Sequence, residues 1–167
     1  MAQTYPHTMT DAPAQSRYDA PVHPAITRPL FMLGRAIFGG YFLYAGIQHF
    51  LNTSQMAGYA ASKGVPSPEL AVVGSGALLV VGSLSVLLGV LPRVGAAMIA
   101  LFLIGVTPTM HAFWRETGPA AQADLMQFTK NLALLGASLF VAAIPGPWPA
   151  RVIHRHADVR RHAHVRT

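Results

Sequence analysis

The chain has 167 residues, 52% hydrophobic and 11% charged, with a mean hydropathy of +0.39. A soluble domain carries roughly 25% charged residues, so this composition excludes an ordinary globular surface, a disordered chain and, at this length, two conventional domains. The absence of cysteine excludes disulfides, thiolate nucleophiles and iron–sulfur ligation. Five of the ten arginines, Arg151, Arg155, Arg160, Arg161 and Arg166, lie in the last 17 residues, so the net charge of +6 is a basic tail and no nucleic-acid partner is expected.

Residues 1–28 are rich in Pro, Ala, Thr and Ser and contain no apolar run, which predicts a disordered cytoplasmic leader and no signal peptide. Four apolar segments follow within residues 29–147, at about 29–50, 69–91, 93–113 and 125–144. A hydrocarbon core about 30 Å thick needs roughly 20 helical residues, and each segment is long enough. Pro92 makes the second connection tight, so the second and third helices should pack antiparallel, and Pro145-Gly146-Pro147 should end the fourth. Small residues four apart, at Ala36/Gly40, Ser85/Gly89, Ala96/Ala100 and Ala133/Ala137, suit close helix packing in lipid. The predicted fold is an all-α integral membrane four-helix bundle followed by a basic His/Arg tail over 148–167.

Its orientation follows from the cations outside the spans. With both termini cytoplasmic, the inner side holds Arg17, Arg28, Arg93 and the five tail arginines, and the outer side only Lys63 and Arg115. The expected state is therefore N-in and C-in, multi-pass, in the cell's inner membrane, with membrane lipid as the first partner and anionic headgroups drawn to the tail.

In that orientation His49 and His111 stand at the outer ends of the first and third helices. Gln127, Lys130 and Asn131 lie in the outer turns of the fourth, spaced to share one face. Glu69 opens the second helix on the same side, and Trp114 follows His111. A polar pocket in the outer leaflet, drawn from all four helices, is the expected ligand site. Each member also has a plainer use: Lys130 as a snorkelling anchor, Trp114, Tyr41, Tyr44 and Tyr59 in an interfacial belt, the histidines as interfacial hydrogen-bonding groups, and Gln127 and Asn131 as interhelical glue. Arg35, roughly 21 Å along the first helix from His49, belongs to the inner leaflet in a structural or lipid-headgroup role. The tail pairs His154/His156 and His162/His164 alternate with arginine and offer no preformed metal site, so no metal is expected.

The stretches LGRAIFGGYFLYAGIQHF, YAASKGVP and MHAFWRETGPAAQADLMQFTKNLALLGASL resemble the DoxX family of small bacterial membrane proteins across about residues 30–144. His111, Phe113 and Trp114, then the Gln127-Phe128-x-Lys130-Asn131 run with Gly136, carry most of the likeness. Many relatives have an acidic residue in the second helix where this chain reads GALLVVGSLSVLLG. The resemblance implies four membrane helices and, from relatives that are membrane subunits of thiosulfate:quinone oxidoreductase or of oxidative-stress complexes, a redox setting.

The leading expectation is thus a membrane subunit that binds a quinone-like or lipid-like molecule beside another redox subunit. Lys130 with His49 or His111 would meet a carbonyl oxygen, and Trp114 would stack on a ring. No cofactor is built into the chain; a bound quinone, or a haem between His49 and His111, would have to supply redox chemistry. The alternatives are a non-catalytic scaffold or assembly factor, and a small-solute permease, for which the inner halves of the spans offer a thin polar path.

Overall fold

The computed structural model describes residues 24–144 and Trp148. Among the described residues the order is α1 (Pro24–Leu51), α2 (Thr53–Ser62), α3 (Pro68–Leu88), α4 (Pro92–Met110), a 3-10 turn (Phe113–Arg115) and α5 (Gly118–Ala143). Helices α1, α3, α4 and α5, of 28, 21, 19 and 26 residues, are long and apolar enough to span a bilayer. The chain is an all-α, multi-pass membrane protein. Most of the predicted leader and tail, including the tail arginines and histidines, and the Pro145-Gly146-Pro147 stop lie outside the described residues.

The helices depart from the sequence boundaries for local reasons. α1 runs back through Pro29 to Pro24, taking in the last five residues assigned to the leader. α3 stops at Leu88, where Gly89 turns into the left-handed region at φ 70°; its N–H donates to the Val86 carbonyl, and that of Val90 to Ser85. The Ser85 hydroxyl then reaches the Val90 carbonyl at 2.5 Å, fastening the turn into Pro92. α5 begins seven residues before the expected Leu125, because Gly118 at φ 59° turns the chain and Pro119 starts a helix without wasting an N–H. An element the hydropathy reading passes over, α2, fills the first connection: its apolar residues are too few for a span, but Ala57 and Ala60 are buried.

Packing runs as a row in which α1 lies on α3, α3 on α4, α4 on α5, and α2 on α3. Glycines set the close approaches. A Cβ built on Gly95 would stand 2.5 Å from the Gly82 carbonyl oxygen, and one on Gly82 2.9 Å from that of Gly95, so α3 and α4 meet backbone to backbone. Gly39 and Gly46 seat α1 against Leu87 and Val80, and Gly76 takes the His49 Cβ. Of the small pairs read from the sequence, Ala96 and Ala100 are buried, whereas Ala36 is exposed and Gly40 faces open space. Small residues four apart occur on several faces of a helix, so spacing alone does not select the packed one. Phe42, Leu79, Val86, Ile99, Leu103 and Trp148 form the centre of the core.

Candidate functional site

α3 and α4 touch near their short connecting turn and leave room at the opposite end, where α1 finishes and α2 lies across. There the helices line an open cavity of about 920 Å³. Its walls are mainly apolar, from Phe42, Leu78, Phe102, Leu103 and Leu134 among others, and its polar groups include His49, His111 and Asn131. Exposed residues on its rim, Leu70 and Gly74 on α3 and Leu101 and Gly105 on α4, face the surrounding bilayer.

A helical carbonyl orients His49, and a side chain of α5 orients His111. His49 Nδ1 lies 2.7 Å from the Ala45 carbonyl one turn back, an oxygen that only accepts, so Nδ1 carries the hydrogen and Nε2 is left for a ligand. Its ring meets Phe102 edge-on at 5.9 Å, placing it between α1 and α4. His111, at the end of α4, directs Nδ1 to Asp124 Oδ1 at 3.4 Å. Asp124 is buried, and its other oxygen accepts from Lys63 Nζ at 3.0 Å. Lys63 also donates to Glu116 at 2.8 Å, and its side chain is only 17% exposed. Glu116 first and Asp124 second raise the Lys63 pKa above the ordinary lysine value. Because the shift is upward, the pairing is complete below that ordinary value and is lost only as pH climbs beyond it.

The expected site residues divide. His49, His111 and Asn131 come together on the cavity wall. Gln127, Lys130 and Trp114 do not line it: Lys130 is exposed and donates to Gln127, and Trp114 is 55% exposed, edge-on to Phe113 and Phe128. Gln127 and Lys130 are thus exposed where Asn131 is buried. The buried polar residues of α5 are Asp124, Asn131 and Ser138, seven apart, and Lys130 is turned about 100° from Asn131. Side chains lean toward a helix's N-terminus, so Lys130 extends toward the headgroup region at the α2 end. Glu69 is exposed in the first turn of α3, and Arg35 is buried in α1. Lys130→Ala is expected to leave thermal stability within about 0.5 kcal/mol of the parent, as for an exposed side chain; unfolding in mild detergent checks it.

Residues 30–112, from α1 to the end of α4, match the family model DoxX. Over 118 residues the chain is also 28% identical to inner membrane protein YphA of Escherichia coli K12, covering 71% of this chain and 84% of YphA. The chain belongs to the DoxX family. It is accordingly a multi-pass protein of the inner membrane. No solved structure matches this DoxX protein. His49, Lys63 and His111 fall inside the stretch matched by the family model; Asp124 and Asn131, on α5, lie beyond it.

Sequence reasoning missed Lys63, Glu116 and Asp124 as a cluster. Starting the fourth helix at Leu125 left Asp124 in a loop. Reading Gly118-Pro119 as a helix start would have placed Asp124 on the stripe that continues through Asn131 to Ser138.

Proposed function

We propose that this DoxX protein binds a membrane-borne molecule with a polar ring or headgroup and an apolar tail, of the quinone or lipid class, in the cavity beneath α2. The observation that carries this reading is the cavity itself: about 920 Å³, apolar-walled, with His49, His111 and Asn131 as its anchoring polar groups and a rim facing the bilayer. Sites for small ligands have this size and this pattern of few polar groups on apolar walls. A quinone fits the donor set. Asn131 supplies an N–H for a carbonyl oxygen, and the histidine Nε2 atoms accept from a hydroxyl in the reduced form. A quinone so held would bring two-electron redox chemistry, and the chain would serve as the membrane subunit beside an electron-carrying partner. The excess of Lys and Arg on one side supports an orientation with both termini in the cytoplasm.

Two glycines make the test clean. Gly74 and Gly105 stand on the exposed rim of the cavity, and a Cβ at either meets nothing within 4 Å, so a larger side chain narrows the opening without displacing the wall. Protein in lipid nanodiscs should bind a short-chain benzoquinone saturably, about one per chain, by equilibrium dialysis. Gly74→Phe and Gly105→Phe should each weaken that binding at least tenfold, and Lys130→Ala should leave it unchanged. Binding that survives both phenylalanines would place the ligand elsewhere; no saturable binding in the parent would remove the quinone from the proposal.

A further inference from the structure

α2 packs on α3 and lies across the cavity, which it lines with Gln55, Met56, Tyr59 and Ala60. Among the described residues, the side-chain hydrogen bonds that join α2 and its C-cap to the α4–α5 half all come from Lys63, to Glu116 and to Asp124. Lys63, Glu116 and Asp124 do not line the cavity themselves; the bonds reach it through Tyr59 and His111, which do. The two bonds link positions 53 and 61 residues apart in sequence, and the Lys63 ammonium lies 5.6 Å from the ring of Tyr59, itself a wall residue. Asp124, the buried anchor, is held from its other side by His111, which also lines the cavity.

We propose that α2 is a lid over the cavity, latched shut by the ion pairs of Lys63 with Glu116 and Asp124. Closed, the lid keeps water from the polar wall at His49 and His111 and leaves the bilayer-facing rim between α3 and α4 as the way in. His111 touches both cavity and latch, so an occupant that engages its ring also bears on Asp124. A lid of this kind needs a pivot and a strong catch. The pivot is the break at Asn52 between α1 and α2, where the chain leaves helical geometry at φ −122°, ψ 31° while the Asn52 N–H still donates to the Gln48 carbonyl. The catch is charge-assisted on both arms, and such bonds are roughly twice as strong as neutral ones.

The absence of cysteine makes the test direct. Ser75 lines the cavity and accepts cysteine with little change of volume. In nanodiscs, a negatively charged, membrane-impermeant methanethiosulfonate reaches Ser75→Cys only from the water. In the otherwise unaltered chain its labelling should be slow. Adding Lys63→Met should speed it at least tenfold, the factor that about 1.4 kcal/mol of lost closed state produces. Glu116→Gln should give a smaller acceleration, Lys63→Arg should restore slow labelling, and Arg115→Met, next to the latch, should change nothing. Glu116 is partly exposed in a connection, so its variant folds even if Lys63→Met does not. Equal labelling rates in the parent, Lys63→Met and Glu116→Gln, with unchanged thermal stability, overturn the lid. The labelling uses no ligand, so failure here leaves the ligand reading standing, and the converse holds.

Discussion

Gly95→Ala is expected to destabilise the protein by about 1–3 kcal/mol. The added methyl group would stand 2.5 Å from the Gly82 carbonyl and 2.7 Å from the Ser85 Cβ. Both are backbone or the root of a side chain, so neither moves unless the helix moves. Alanine has the higher intrinsic helix propensity, worth about 0.8–1.0 kcal/mol over glycine, and the clash must exceed that gain for the sign to be unfavourable. Gly82→Ala meets the Gly95 carbonyl at 2.9 Å and should cost somewhat less. Gly136→Ala on α5 is the control: its Cβ meets nothing within 4 Å, and it should be neutral or stabilising by up to about 1 kcal/mol. Titrating folded protein from mild detergent into SDS ranks the three. If Gly95→Ala is no less stable than Gly136→Ala, α3 and α4 do not meet as described. Gly95→Ala and Gly82→Ala should also weaken the proposed ligand's binding, because the α3–α4 contact lies at the end away from the cavity.

Removing the shared carboxylate is the second large effect. Asp124→Ala leaves His111 without its oxygen partner and Lys63 with Glu116 alone. Two charge-assisted hydrogen bonds disappear at a residue 8% exposed, and the expected cost is about 2 kcal/mol. Glu116→Gln, at a side chain that is 35% exposed, should cost about 0–1 kcal/mol, the range of surface pairs. The comparison separates an internal tie from a surface ion pair, and thermal unfolding of both variants in the same detergent measures it. Equal losses would mean that the buried position of Asp124 adds nothing.

The two effects lie on different links of the chain from sequence to function. The glycine contact sets where α3 and α4 can separate and so where a cavity opens. The carboxylate sets how that cavity is covered. His49 belongs to both: its Cβ rests on Gly76, its Nδ1 is spent on Ala45, and its ring reaches Phe102 across the space between α1 and α4.

Much was legible in the residues alone. Four apolar runs, one after another, require a bilayer and fix the all-α class, because backbone groups in hydrocarbon must bond within their own helix. Pro92 marks the tight α3–α4 turn, and the motifs around His111 and Lys130 carry the family resemblance. The sequence also placed His49, His111 and Asn131 at one end of the bundle, because counting spans puts alternate helix ends on the same side. What it did not decide is rotation about each helix axis. In water a helix shows its inner face by being apolar there; in lipid both faces are apolar, and the inner face of α5 is marked instead by Asp124, Asn131 and Ser138 while Leu132, Leu139 and Phe140 point outward. Only the packed structure turned Lys130 and Gln127 away from the cavity and brought Lys63 to Asp124, since contact between residues 61 apart depends on how whole helices seat on glycine, and no local pattern encodes that.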